Sequence, residues 1–271
     1  MTVFTESHVP VGPDVTLFVA RTASAAGTPL LVVHGGPDWD HTYLRDPLCR
    51  LPNVVLPDLR GCGRSTRGLP SERYTWDAVV ADLLALLDTL GIAQTDVLGF
   101  STGGLIAQRL VLAAPQRFRR LVVASSSIIP VPPAFASRPP DPSPPSGLVG
   151  ADANHADAIA AAPRDIWRPA ARPDYLSRVA AVRFSGEWWH SWAAGTLPPV
   201  RVPDAARRLA DLGLPILLLH GRQDMTFPAA LATEAAATNP AARAVILDDA
   251  SHMTHIDQPD AWIAALTAFL D

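Results

Sequence analysis

The stretch Asp96-Val97-Leu98-Gly99-Phe100-Ser101-Thr102-Gly103-Gly104 constrains the fold of this chain more than any other. An apolar run leads into Gly-x-Ser-x-Gly, and the spacing of Leu105, Ile106, Arg109, Leu110 and Leu112 predicts a helix directly behind it. Strand, tight turn and helix must then follow one another with almost no loop. Such a turn needs glycines where strand and helix approach closely, and it holds its central residue in strained backbone geometry. Ser101 would stand at the carboxyl end of a strand, above a helix N-terminus whose free N–H groups favour developing negative charge. Without that context, Gly-x-Ser-x-Gly is only a glycine- and serine-rich turn. The other segments decide between the two.

Three more apolar runs end in residues with chemical potential. Leu30-Leu31-Val32-Val33 runs into His34-Gly35-Gly36-Pro37. Acyl transfer needs two N–H donors aimed at the developing oxyanion. Thr102, the residue after the serine, supplies one; Pro37 has no N–H, so Gly36 is the candidate for the other. His34 reads as a residue that packs and hydrogen-bonds this loop. Pro215-Ile216-Leu217-Leu218-Leu219-His220-Gly221-Arg222-Gln223 precedes Asp224, an acid able to orient an imidazole. A turn or helix-capping aspartate is the competing reading, because Pro228 and a helical run follow. Ala244-Val245-Ile246-Leu247 precedes Asp248, Asp249 and His252, with His255 as the rival base. The chain order Ser101, Asp224, His252 gives a nucleophile, an orienting acid and a general base, in that sequence.

Apolar runs at 30–34, 53–57, 96–100, 121–126, 215–220 and 244–248 read as buried parallel strands, with 16–20 at an antiparallel edge. Trp76, Val79, Val80, Leu83, Leu84, Leu87 and Leu90 recur at helical spacing. Asp77, Asp82 and Asp88 fall on the other faces, and Gly91 stops the helix. A last helix over about 259–270 carries Trp262, Ile263, Leu266 and Phe269. Alternating strands and helices predict an α/β fold, a mostly parallel, doubly wound sheet.

With these segments in view, the chain resembles the α/β-hydrolase fold superfamily over nearly its whole length outside residues 128–213. Asp58-Leu59-Arg60-Gly61-Cys62-Gly63-Arg64-Ser65 matches that superfamily's Asp-x-Arg-Gly-x-Gly-x-Ser loop. His34-Gly35-Gly36-Pro37 with Asp40-His41 and Tyr43-Leu44 is similar to the prolyl aminopeptidase branch. Ser-His-Met-Thr-His-Ile-Asp-Gln-Pro fits the Gly-His-x-x-x-x-x-x-Pro pattern, which puts the base at His252. The elbow departs from that branch: Gly-Phe-Ser-Thr-Gly-Gly stands where Gly-Gly-Ser-Trp-Gly is usual, and is closer to esterases, lactonases and cofactor-free haloperoxidases. Epoxide hydrolases and haloalkane dehalogenases carry aspartate as nucleophile, so Ser101 argues against both.

The resemblance implies a core of residues 1–127 and 214–271, with a small helical cap, 128–213, inserted after the sixth strand. Residues 130–145 hold eight prolines, which oppose regular helix or central strand. Helical pieces are expected near 152–162, 174–182 and 184–194. Trp167, Trp188, Trp189 and Trp192 are too apolar to leave in water, so the insert is expected to pack and to line a pocket. Phe100, Trp167, Glu187, Trp188, Trp189 and Trp192 are the candidate substrate-binding residues, and Glu187 is the only glutamate of the insert.

The expected activity is a cofactor-independent serine hydrolase acting through Ser101, His252 and Asp224. Gly36 and Thr102 hold the oxyanion, and no metal is called for. The substrate is expected to be an ester, lactone or amide of a small, partly apolar molecule. An acyl transferase, cyclase or lyase, a prolyl aminopeptidase, a cofactor-free haloperoxidase and a non-enzymatic ligand-binding protein are the alternatives. A net charge of -4 gives no basic footprint for nucleic acid. All 22 basic residues are arginine, a GC-rich bacterial habit. No secretion signal and no membrane-length apolar run is visible, so a cytoplasmic monomer or homodimer is expected. Cys49 and Cys62 have no metal-type spacing, and no disulfide is expected between them.

Overall fold

The apolar runs and one further strand pair into one eight-stranded sheet: β1 (Phe4–Pro10), β2 (Thr16–Thr22), β3 (Leu30–Val33), β4 (Val54–Pro57), β5 (Thr95–Phe100), β6 (Phe118–Ala124), β7 (Ile216–Gly221) and β8 (Ala242–Leu247). The computed structural model describes residues 4–22, 27–132 and 147–271. The strand order is β1-β2-β4-β3-β5-β6-β7-β8; β2 runs antiparallel to β1 and β4, and the other pairs are parallel. This is the expected α/β-hydrolase fold. The antiparallel edge is wider than expected, because β1 lies outside β2. Phe-Thr-Glu-Ser-His-Val-Pro is mostly exposed, so it carries no apolar run that sequence periodicity could register.

Successive strand residues feed two separate cores, as the two-residue pleat requires. Leu31, Val33, Val55, Val97, Leu121, Val123, Ile216 and Leu218 pack into one layer. Leu30, Val32, Leu56, Leu98, Phe100, Val122, Leu217 and Leu219 pack into the other. Helices α1 (Trp76–Thr89) and α2 (Thr102–Ala113) cover the first layer; the last helix buries Trp262 and Leu266 in the second. Thr75 caps α1 by accepting the Ala78 N–H at 3.2 Å, and Gly91 follows its end at φ 67°. Asp82 is not on a solvent face. It is buried under α1 and bound in two-pronged fashion by Arg60 at 2.6 and 2.7 Å, because the Asp58–Ser65 loop sends that guanidinium beneath the helix.

Between β6 and β7 the chain runs through α3 (Gly150–Ala160), α4 (Ala162–Asp165), α5 (Arg172–Ala181), α6 (Trp189–Ala193) and α7 (Ala205–Leu212). The helix expected over 184–194 is only five residues long. Its first half is tied to the core instead of joining the helix: Asp38 accepts hydrogen bonds from Ser185 Oγ (2.6 Å) and Trp188 N (3.0 Å). Helix α7 was not expected from the sequence. Most of the proline-rich stretch lies outside the described residues. After β7, α8 (Ala229–Thr238) returns to β8, and α9 (Pro259–Leu270) closes the chain.

Candidate active site

Ser101 sits at the tip of β5 with φ 54° and ψ -123°, the strained conformation that its flanking glycines foretold. A Cβ on Gly99 would collide with the Gly103 backbone, and a Cβ on Gly103 with the carbonyls of Val33 and His34. The strand therefore turns into α2 within one residue, and the serine hydroxyl clears the sheet edge.

Three strand ends converge there. His252 Nε2 lies 3.1 Å from Ser101 Oγ, and His252 Nδ1 lies 3.0 Å from Asp224 Oδ2. The other Asp224 oxygen accepts the N–H groups of Thr226 (2.8 Å) and Phe227 (2.9 Å), so the carboxylate is fully engaged. Asp224 and His252 are both buried. Burial opposes charge on the His252 ring, but the adjoining Asp224 carboxylate outweighs it and holds the imidazole pKa above the ordinary histidine value. Burial likewise pushes Asp224 upward, and His252 with the local N–H donors brings it below the usual aspartate value. The proton is thus held on Nδ1, and Nε2 presents a lone pair to the serine.

The rival groups are elsewhere. His255 is buried against Phe100 (5.0 Å), Tyr43 and Trp262; burial first, and Arg178 second, keep it neutral. His34 Nε2 accepts the Leu59 N–H at 3.1 Å and its Nδ1 lies 2.7 Å from Gly35 O, so it braces the loop. Asp248 pairs with Arg222 at the surface, and Asp249 is exposed.

Gly36, at φ 113°, and Ser101 border a cavity of ≈ 190 Å³ with Trp39, Tyr43, Phe100, Arg164, Asp165, Thr226, His252 and Met253. The Gly36 N–H has no acceptor among the described residues. Thr102 opens α2, where an N–H has no intrahelical acceptor. A second cavity of ≈ 230 Å³ shares Gly36, Trp39, Arg164 and Asp165 with the first and continues outward to Asp157, Trp189 and Trp192.

Of the expected substrate-binding residues, Phe100 borders the inner cavity and Trp189 and Trp192 the outer one. The other three do not. Trp188 is buried, stacks on Trp76 at 4.7 Å and donates its indole N–H to Arg60 O, so it is core. Trp167 is half-exposed, its backbone N–H given to Asp257. Glu187 accepts the Gly68 N–H at 3.0 Å and the Tyr74 hydroxyl, away from the cleft. Sequence reasoning missed Trp39, Tyr43, Arg164, Asp165 and Asp157. The first two follow the glycine loop closely enough to have been suspected. The others lie on α3 and α4, where nothing in the sequence marks the inward face. Asp165 is buried and bound by Arg164 at 2.6 Å.

Residues 28–259 match the family model described as alpha/beta hydrolase fold. A putative carbamate hydrolase of Pseudomonas savastanoi is 29% identical over 91% of this chain and 95% of its own length. A proline iminopeptidase of Levilactobacillus brevis is 29% identical over 90% of this chain and 88% of its own. Among solved structures, a proline iminopeptidase-related protein of Thermus thermophilus superposes with a TM-score of 0.76 at 26% identity, covering 98% of this chain and 97% of that one.

Proposed function

This chain belongs to the α/β hydrolase fold family and is an enzyme hydrolysing ester- or amide-type bonds, and from that premise we propose that it is a cofactor-independent serine hydrolase. The observation that carries the reading is the unbroken hydrogen-bonded chain from Asp224 through His252 to Ser101. Ser101 Oγ attacks the substrate carbonyl while His252 Nε2 takes its proton. Asp224 keeps the imidazole in the required tautomer and stabilises the imidazolium. The N–H groups of Gly36 and Thr102 hold the tetrahedral oxyanion. Collapse breaks the bond to the leaving group, which takes the proton from His252. Water, deprotonated by His252, then resolves the acyl-enzyme and frees the acid.

The cavity walls favour a small, partly apolar ester, lactone or amide, since Trp39, Phe100, Met253, Trp189 and Trp192 line them beside the polar groups. A second reading, an amide beside a free amine, is favoured by one residue. Asp157 borders the outer cavity, half-buried, its carboxyl pKa raised by burial and without a partner among the described residues. The same chemistry is named in the Levilactobacillus relative.

A fluorophosphonate probe tests the reading directly. It is expected to label Ser101 in the wild type and not in Ser101→Ala. That variant should fold normally and lose at least about a thousandfold in turnover of chromogenic esters. Turnover above a tenth of wild type in Ser101→Ala would remove the serine from the mechanism.

A further inference from the structure

Among the described residues, Tyr43 is the one side-chain hydroxyl other than those of Ser101 and Thr226 on the wall of the inner cavity. Its ring is buried and wedged between Trp39 (5.1 Å, 72°) and Phe100 (5.8 Å, 67°), so the phenolic oxygen is fixed in place. That oxygen accepts the Gly35 N–H at 2.9 Å. Among the described residues no group accepts the phenolic proton in return. Gly35 stands between this hydroxyl and the nucleophile. A Cβ placed there would lie 3.1 Å from Tyr43 Oη, 3.1 Å from Ser101 Cβ and 3.2 Å from Phe100 O. A side chain there would press these neighbours back by a few tenths of an ångström. A buried hydroxyl that has accepted one bond and not given one is incomplete, and giving its proton into the cavity completes it.

We propose that Tyr43 is a third oxyanion donor, giving its hydroxyl proton to the substrate oxygen that becomes negative when Ser101 attacks. The proposal rests on the serine-hydrolase reading above. The hydroxyl neighbours the loop that presents the Gly36 N–H, so donor and loop are registered by the bond to Gly35. Accepting that N–H polarises the O–H and makes it the stronger donor. Burial pushes the phenol far above its ordinary pKa, so the group stays protonated and acts as a donor at every working pH. The proton is shared and not transferred: the oxyanion forms as the carbonyl π bond opens, and collapse returns the electrons to carbon while Tyr43 keeps its hydrogen.

Two variants separate donation from support of the loop. Tyr43→Phe removes the proton and also the acceptor of the Gly35 N–H. Incorporating 3-fluorotyrosine in place of Tyr43 retains both bonds while making the O–H a better donor and a poorer acceptor. Removing one oxyanion donor costs a hundredfold or more where it has been measured; with two backbone donors left, about ten- to a hundredfold is expected here. Tyr43→Phe should lower kcat by that factor with KM within about twofold, and weaken inhibition by an arylboronic acid, which forms a tetrahedral adduct on Ser101, in the same proportion. The fluorotyrosine enzyme should bind the boronate at least as tightly as wild type and turn over at least as fast. Retention of kcat within twofold in Tyr43→Phe, or a fluorotyrosine enzyme slowed and weakened toward boronate, overturns the proposal. If Tyr43→Phe does not fold, the fluorotyrosine enzyme decides alone. Fluorophosphonate labelling of the wild type runs alongside: an unlabelled wild type refutes the serine mechanism, whereas a labelled one with an indifferent Tyr43→Phe refutes only the third donor.

Discussion

His252 and His255 are three residues apart, yet their surroundings assign them opposite tasks. His252 has a carboxylate on one side and a hydroxyl on the other; His255 has aromatic rings on three sides. His252→Ala is expected to match Ser101→Ala in severity, since the two act as a unit. His255→Ala opens a cavity among Phe100, Tyr43 and Trp262 and should cost about 2–4 kcal/mol of stability while retaining most of the turnover at a temperature where it is folded. Side-by-side kinetics and thermal melts check the ranking, and the reverse order would transfer the role to His255. The pH profile follows from the same geometry. Only the neutral imidazole accepts the serine proton, so kcat/KM should rise with pH through an ionisation above the ordinary histidine value of 6.5. In Asp224→Asn the main raising influence is gone and burial dominates, so the inflection should move to lower pH. Turnover should fall by orders of magnitude at the same time, because the tautomer is no longer held. An inflection that stays in place in Asp224→Asn would detach this carboxylate from the histidine.

At the scale of elements, the insertion between β6 and β7 is fastened to both catalytic loops. Asp38 and Asp40, just past Gly36, accept N–H groups of Trp188 and Arg183. On the other side Asp257 accepts those of Trp167, Arg168 and Ser251, while Met253 N–H goes to Asp165 O. The helices that wall the cleft are therefore in register with Gly36 and His252. Trp188 shows the consequence for stability. It is buried on Trp76, so Trp188→Ala should cost about 3–5 kcal/mol, read as a lowered Tm, with the KM of the surviving enzyme less affected than its melting point. A KM change without loss of stability would return Trp188 to substrate binding. This is also where sequence reading reached its limit. The sheet was legible because strands buried on both faces are continuous apolar runs, and the Ser101 elbow because its glycines are required by contact. Helix α3 is alanine-rich with a weak amphipathic pattern, so nothing in its spacing said that Asp157 turns inward. The pairing of Asp82 with Arg60 was illegible for a different reason. A lone aspartate on a helix is ordinarily solvated, and only the fold brings the arginine of a distant loop beneath it.

For the molecule as a whole the open choice is what the cleft recognises. Glu187, the only glutamate of the insert and an expected substrate-binding residue, is spent on Gly68 and Tyr74. Asp165 is matched by Arg164, and Asp38 is occupied by Ser185, Trp188 and Asn154. That leaves Asp157 as the carboxylate in the cleft without a bonded partner among the described residues. A buried ammonium needs such a partner, because desolvation without one is costly. Asp157, however, sits at the outer end of the cleft, in the cavity that lacks Ser101 and His252. A substrate amine adjacent to the scissile carbonyl has to lie near Ser101, where Trp39, Tyr43, Phe100 and Met253 border the cavity and the one carboxylate besides, Asp165, is matched by Arg164. Neutral aryl or alkyl esters, or a lactone, are therefore expected to have higher kcat/KM than matched proline anilides. Asp157→Asn should leave ester turnover within about twofold, since a carboxylate at the outer end of the cleft with no bonded partner contributes little to binding an uncharged ligand. The comparison is made with ester and free-amine anilide of the same acyl group, in wild type and Asp157→Asn. If the anilide is preferred, and its kcat/KM collapses in Asp157→Asn while ester turnover does not, the enzyme reads an amine and the aminopeptidase assignment holds.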